Sequence, residues 1–102
     1  MRQSAPVEPR EAAEPPAVVA VRFFLDAEAD PGLLPRLLAP FARRDLTPDR
    51  MWSHRNNGTM HVEIALDAMP IEVLHQVEGN LRQVVGLHRL SRQDATPLAR
   101  AA

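Results

Sequence analysis

The chain has 102 residues, 45% of them hydrophobic and 25% charged, with a formal net charge of −1, a composition that suits one small globular domain. All twelve basic residues are arginine, and in so nearly neutral a chain no clustered basic surface for nucleic-acid phosphates is expected; the absence of cysteine excludes a disulfide, a thiol nucleophile and a thiolate metal site. No apolar run is long enough to cross a membrane and the N-terminus lacks the apolar core of a secretory signal, so a cytoplasmic protein with no membrane or nucleic-acid partner is expected.

Residues 1–17 are rich in proline, glutamate and alanine, with Val7 the only β-branched residue. Such a segment buries too little apolar surface to offset its ordering entropy and reads as a disordered tail. Residues 93–102 read the same way, leaving residues 18–92 as the folded part, small enough to need a partner or a very efficient core.

Val18 to Leu25 is rich in Val and Phe and reads as a buried strand, broken by Asp26 to Asp30. Asp30 suits a helix N-cap and Pro31 the first helical position, where its missing N–H costs nothing. Leu33, Leu34, Leu37, Leu38 and Phe41 then recur at helical spacing, with Arg43 and Arg44 in the last turn, where the helix dipole favours cations. Pro35 and Pro40 work against this helix, and a bend near Pro40 is expected.

Asp49 to Arg55 and Thr59 to Leu66 read as strands around Asn57-Gly58, a strong signal for a tight hairpin turn. Met60, Val62, Ile64 and Leu66 alternate with more polar residues, so one face is buried. Ile71 to Val84 reads as the second helix and Val85 to Ser91 as the last strand. The order is βαββαβ, and the predicted fold is α+β and ferredoxin-like. It is a four-stranded antiparallel sheet in the order 4-1-3-2, with both helices on one face and the other face open.

A two-residue turn pairs Arg55 with Met60, His54 with His61, Ser53 with Val62 and Trp52 with Glu63. Trp52, His54, His61 and Glu63 then share the open face. His54 and His61 with a carboxylate are candidate ligands for Zn²⁺ or Ni²⁺. The plainer reading is two exposed or interface histidines, and no metal site is assigned. Trp52, the only tryptophan, is a candidate partner anchor. Its alternative is packing beneath the N-terminal tail. His75 and His88 read as surface residues, and Arg43, Arg44, Arg50 and Arg55 as solvated charges.

Asp30-Pro31-Gly32-Leu33-Leu34, followed by Arg36, Leu37, Leu38, Phe41 and Arg44, resembles the signature of ACT domains, the small regulatory modules of amino-acid metabolism. The resemblance covers about residues 18–92 and is nearest to short acetolactate synthase small subunits or free-standing ACT proteins. It implies pairing into a homodimer or larger assembly, and an amino-acid effector bound near the loop before the first helix. Asp30, Gly32, Leu33 and Thr47 are the corresponding ligand-binding positions. A glycine leaves the helix N-terminus open, where free N–H groups attract a carboxylate; the plainer reading of Asp30-Pro31-Gly32 is a helix start. The sequence departs from the pattern after the first helix. Where the family often has Gly, an apolar residue and Asn, this chain has Asp45, Leu46 and Thr47, then Pro48, and Thr47 lacks the two-ended amide of Asn.

No nucleophile turn, phosphate loop or paired carboxylates stand out, so an enzyme is not expected, and no cofactor is implied. The reading is a regulatory or accessory domain, with a catalytic subunit of branched-chain amino-acid synthesis as the implied partner. The alternative is a dimeric contact module without effector. An RNA-binding module of the same fold lacks its basic glycine-aromatic motif here, and a metallochaperone lacks its cysteines.

Overall fold

In the computed structural model, which describes residues 17–96, period-two alternation decides what each strand buries. β1 (Val18–Glu28) turns Val21, Phe23, Leu25 and Ala27 into the core and sets Arg22, Phe24 and Asp26 on the opposite face. The strand therefore runs through Asp26, which was expected to break it. The carboxylate stands on the solvent side, while Ala27 beside it is fully buried.

α1 (Leu33–Ala42) lays Leu33, Leu37 and Phe41 on the sheet. It starts two residues later than expected, with Gly32 rather than Asp30 as its N-cap. Pro35 falls in the first turn, where an N–H would have no helical acceptor in any case. Pro40 cannot donate to the Arg36 carbonyl, yet the helix continues through it, since its ring is packed in the core. Phe41 meets Phe23 of β1 edge-on, with ring centroids 5.8 Å apart, a favoured aromatic geometry.

The helix ends at Ala42, so Arg43 and Arg44 lie just beyond its last turn. Arg44 still donates to the Pro40 carbonyl at 3.3 Å. Asp45 takes a φ of 57°, and the Leu46 N–H donates back to the Phe41 carbonyl at 2.9 Å. This is the left-handed helix stop that most often uses glycine.

β2 (Arg50–Asn56) and β3 (Thr59–Pro70) form the hairpin, in the register that the two-residue turn predicts. Asn57 adopts φ 59° to make the turn. β3 outlasts its expected end at Leu66 because Asp67 and Ala68 bulge opposite Ala20, between the Val19–Met69 and Val21–Leu66 pairs. The bulge returns Met69 to the core.

α2 (Ile71–Arg82) contributes Leu74, Val77 and Leu81. The chain then turns at Gly86, whose φ of 91° suits glycine. β4 (Leu87–Ala95) thus starts later than expected and reaches past residue 92; the rest of the two segments read as tails, 1–16 and 97–102, lies outside the described residues.

The sheet is antiparallel in the order β2-β3-β1-β4, the predicted 4-1-3-2 order read from the other edge. The element order is βαββαβ and the fold is ferredoxin-like. The buried side chains of both helices join those of β1 and β3 in one cluster, so both helices cover the same face. No helix among the described residues is long and apolar enough to cross a membrane.

Candidate functional site

At the end of the sheet where β1 meets α1, the chain turns through Asp30, Pro31 and Gly32. The Gly32 N–H donates to Asp30 Oδ1 at 2.7 Å, the side-chain turn that aspartate favours. The Leu33 N–H donates to the Asp30 carbonyl at 3.0 Å. Arg36, one turn into α1, donates from Nη2 to Asp30 Oδ2 at 2.8 Å and to the Val85 carbonyl at 3.4 Å. The Arg36 and Gly32 hydrogen bonds hold the Asp30 carboxyl below its ordinary pKa, since both favour the ionised form.

The two N–H groups expected to hold a ligand carboxylate are thus already donating to Asp30. The guanidinium of Arg36 also lies over Gly32, where a Cβ would stand 2.7 Å from Nη1. An anion on these groups would have to displace Asp30. Thr47 lies elsewhere, exposed on the loop beyond the far end of α1. The ten-residue helix separates the two by about 15 Å. One chain therefore does not bring Asp30, Gly32 and Leu33 together with Thr47.

The open face is an ordered grid of side chains. Across β2, β3, β1 and β4 one row reads His54, His61, Asp26, Arg89; the next reads Trp52, Glu63, Phe24, Ser91; the third reads Arg50, Ala65, Arg22, Gln93. Trp52, His54, His61 and Glu63 share the face as predicted. Trp52 is 56% exposed and stacks on His54 at 5.9 Å. His61 places Nδ1 2.7 Å from Asp26 Oδ1, and Arg89 approaches the other oxygen at 3.9 Å. Asp26 therefore engages Nδ1 of His61 and leaves Nε2 as its open ring nitrogen. Among the described residues no three His, Asp or Glu side chains gather into a metal site.

In the third row, Arg22 and Arg50 flank Ala65. Their Cα atoms are two strands apart, about 9–10 Å. Arg22 Nε pairs with Glu63 at 3.3 Å and Arg50 Nη2 with Asp67 at 3.1 Å. Ala65 lies on the solvent side of the sheet yet is only 2% exposed. Beside it opens a cleft of about 440 Å³, lined by Ala20, Arg22, Arg50, Asp67, Gln93 and Asp94 among others. A second cleft, of about 450 Å³, adjoins it through Arg50 and reaches Met51, Trp52 and Glu63. Sequence reasoning passed over these residues. Arg50 read as a solvated charge and Gln93 as the start of the tail. The hairpin register, continued two residues past Trp52, was enough to set Arg50 beside Ala65. The pairing of β1 with β3, which adds Arg22, has no local signal.

The model of the ACT-like domain family matches residues 14–99. No curated protein matches the chain.

Proposed function

The chain belongs to the ACT-like domain family, whose members are small regulatory domains, and from that membership we propose that it is a non-catalytic accessory domain that works by pairing through strand β2, with a second copy or with an enzyme subunit. The observation that carries this is the state of β2. All seven of its residues are exposed, it is an outer strand of the sheet, and it contains no proline. Such a strand offers a row of free N–H and C=O groups to another strand.

Counting from the two-residue turn, Asn56–Thr59, His54–His61, Trp52–Glu63 and Arg50–Ala65 are the pairs that exchange ladder bonds. Met51, Ser53 and Arg55 then direct their N–H and C=O groups outward. Exposed Trp52 stands in the same strand and supplies an aromatic anchor of the kind found at interface centres. The donors at Gly32 and Leu33 are already engaged, which favours contact over an effector at that turn as the primary role.

Sedimentation equilibrium at micromolar concentration tests the reading. Wild type is expected at twice the chain mass or more. Ser53→Pro removes one outward N–H and no ladder bond, and proline is tolerated at such an edge position; it is expected to run as a folded monomer. A monomeric wild type, or a Ser53→Pro variant that pairs as well as wild type, overturns the proposal. A catalytic subunit of branched-chain amino-acid synthesis is the first heterologous partner to test, as the resemblance to short acetolactate synthase small subunits suggests.

A further inference from the structure

We propose that His54 and His61 form a two-histidine site for a divalent transition-metal ion on the open face of the sheet, with Asp26 positioning the His61 ring. The two histidines lie directly opposite each other on β2 and β3. Their pairing puts the Cα atoms about 5.5 Å apart with both side chains on one face. Two imidazole nitrogens on one tetrahedral ion stand about 3.3 Å apart, given metal–nitrogen bonds of about 2.0–2.1 Å. Rings that rise from such a pair and lean together reach that spacing without a shift of the backbone.

What makes the pair a site is the carboxylate beside it. Asp26, opposite His61 on β1, holds Oδ1 2.7 Å from Nδ1. A carboxylate only accepts, so in the neutral ring Nδ1 carries the proton and Nε2 the lone pair that a metal needs. A carboxylate on the far nitrogen of a metal-bound imidazole fixes its tautomer and orientation and makes it a better donor. His61 remains reachable, its side chain 40% exposed. His54 is exposed as well and stacks on Trp52, with ring centroids 5.9 Å apart. Exposed rings change rotamer on the picosecond-to-nanosecond scale, so His54 is free to leave the indole for the ion.

The donors select the ion. Two neutral imidazoles suit Zn²⁺, Ni²⁺ or Cu²⁺, whereas Mg²⁺ and Ca²⁺ take oxygen. Among the described residues no group of three His, Asp or Glu side chains completes the shell, and Glu63, in the next row, is paired with Arg22. A four-coordinate ion therefore keeps two positions for water or for an outside donor.

Trp52, the only tryptophan, reports on His54 directly, because Ni²⁺ quenches an indole that it approaches closely. Fluorescence titration of the full chain with Ni²⁺, together with calorimetry using Zn²⁺ and Mg²⁺, tests the proposal. Zn²⁺ is expected to bind at micromolar concentration, Ni²⁺ to quench saturably in the same range, and Mg²⁺ to do neither. Asp26→Ala is expected to weaken Zn²⁺ binding by about 10–100-fold, and His54→Ala and His61→Ala by at least as much, with circular dichroism confirming each fold. Asp26→Asn keeps an oxygen for the Nδ1 proton and is expected to recover most of the loss. Replacing His75 and His88 together by Gln is expected to change nothing. Imidazole nitrogen resonances should place Zn²⁺ on Nε2 of His61. The proposal is overturned by a wild type that binds no Zn²⁺ at micromolar concentration, by Mg²⁺ bound as tightly as Zn²⁺, or by an affinity that survives either histidine variant. An Asp26→Asn protein no better than Asp26→Ala overturns the positioning role. Both histidines belong to one chain, so these outcomes are independent of sedimentation, and failure here leaves the pairing proposal standing.

Discussion

Arg36 Nη2 grips Asp30 Oδ2 at 2.8 Å while Asp30 Oδ1 accepts the Gly32 N–H at 2.7 Å, so a single carboxylate closes the turn and anchors the first residues of α1. Arg36 also reaches the Val85 carbonyl, which links the start of α1 to the turn before β4. Through Arg36, aspartate at position 30 thus ties two turns together just ahead of a helix that begins three residues later.

Stability should depend on the ionisation of Asp30. Its folded pKa lies below the ordinary value of 3.8, first through the Arg36 hydrogen bond and then through Gly32. A depressed folded pKa contributes stability that is present above the unfolded value and is lost as pH falls through the folded one. Asp30→Asn keeps an oxygen for the Gly32 N–H and removes only the charge. Urea midpoints of wild type and variant are expected to differ at neutral pH, wild type higher, and to converge well below pH 3.8. A constant difference across that range would assign the effect to something other than ionisation.

Gly32 is needed for clearance, not for backbone freedom. Its φ of −90° is open to any L-residue, and the nearest obstacle to a Cβ is Arg36 Nη1 at 2.7 Å, the far end of a flexible side chain. Gly32→Ala is expected to fold normally and to lose less than about 1 kcal/mol, the scale of an exposed ion pair. Nuclear magnetic resonance should show the Arg36 side-chain signals shifted, with the core unchanged. A loss of several kcal/mol would mean that the turn itself requires glycine.

Phe41 carries more of the fold than any residue of the turn. It is fully buried, meets Phe23 edge-on, and its carbonyl receives the N–H groups of Arg44 and Leu46 that end the helix. Phe41→Ala should cost about 3–5 kcal/mol, a large share of the 5–15 kcal/mol typical of a domain. Thermal unfolding followed by circular dichroism would measure it; a loss below about 1 kcal/mol would contradict the packing described.

The hairpin was legible because its information is local. Asn57-Gly58 fixed the turn, the turn fixed the register, and the register put His54 opposite His61 and Trp52 opposite Glu63. The helices were legible in their apolar period, but their ends were not. Asp30 looked like a cap because the sequence does not reveal that its side chain bonds to Gly32 rather than directly starting the helix. Asp26 looked like a strand breaker because its partner, His61, is 35 residues away. The cleft was hidden for the same reason. Arg22 and Arg50 converge on Ala65 only when β1 and β2 both pair with β3, and the register of β1 on β3 is set by no turn between them.

Asp45 occupies the one place after α1 where the backbone asks for glycine, and replacing it should stabilise the protein. Its φ is 57°, and the Leu46 N–H crosses to the Phe41 carbonyl around it. An L-residue with a Cβ is disfavoured in this conformation by about 1–2 kcal/mol, somewhat less for aspartate, which visits it more readily than most. Glycine removes that cost but gives the unfolded chain more freedom, which takes back about 0.4–1 kcal/mol. A negative charge at the C-terminal end of a helix adds a further unfavourable term of about 0.3–1 kcal/mol, which glycine also removes. The sum favours Asp45→Gly by about 0.5–1 kcal/mol. Asp45→Asn separates the two causes, because it removes the charge and keeps a side chain suited to positive φ. If conformation dominates, Asn should recover less than half of the gain given by Gly. If charge dominates, the two variants should match at low salt, and both gains should shrink as salt is added. Urea unfolding of the three proteins at two ionic strengths distinguishes these outcomes, and a destabilised Asp45→Gly would show that the side chain makes a contact worth more than the strain it carries.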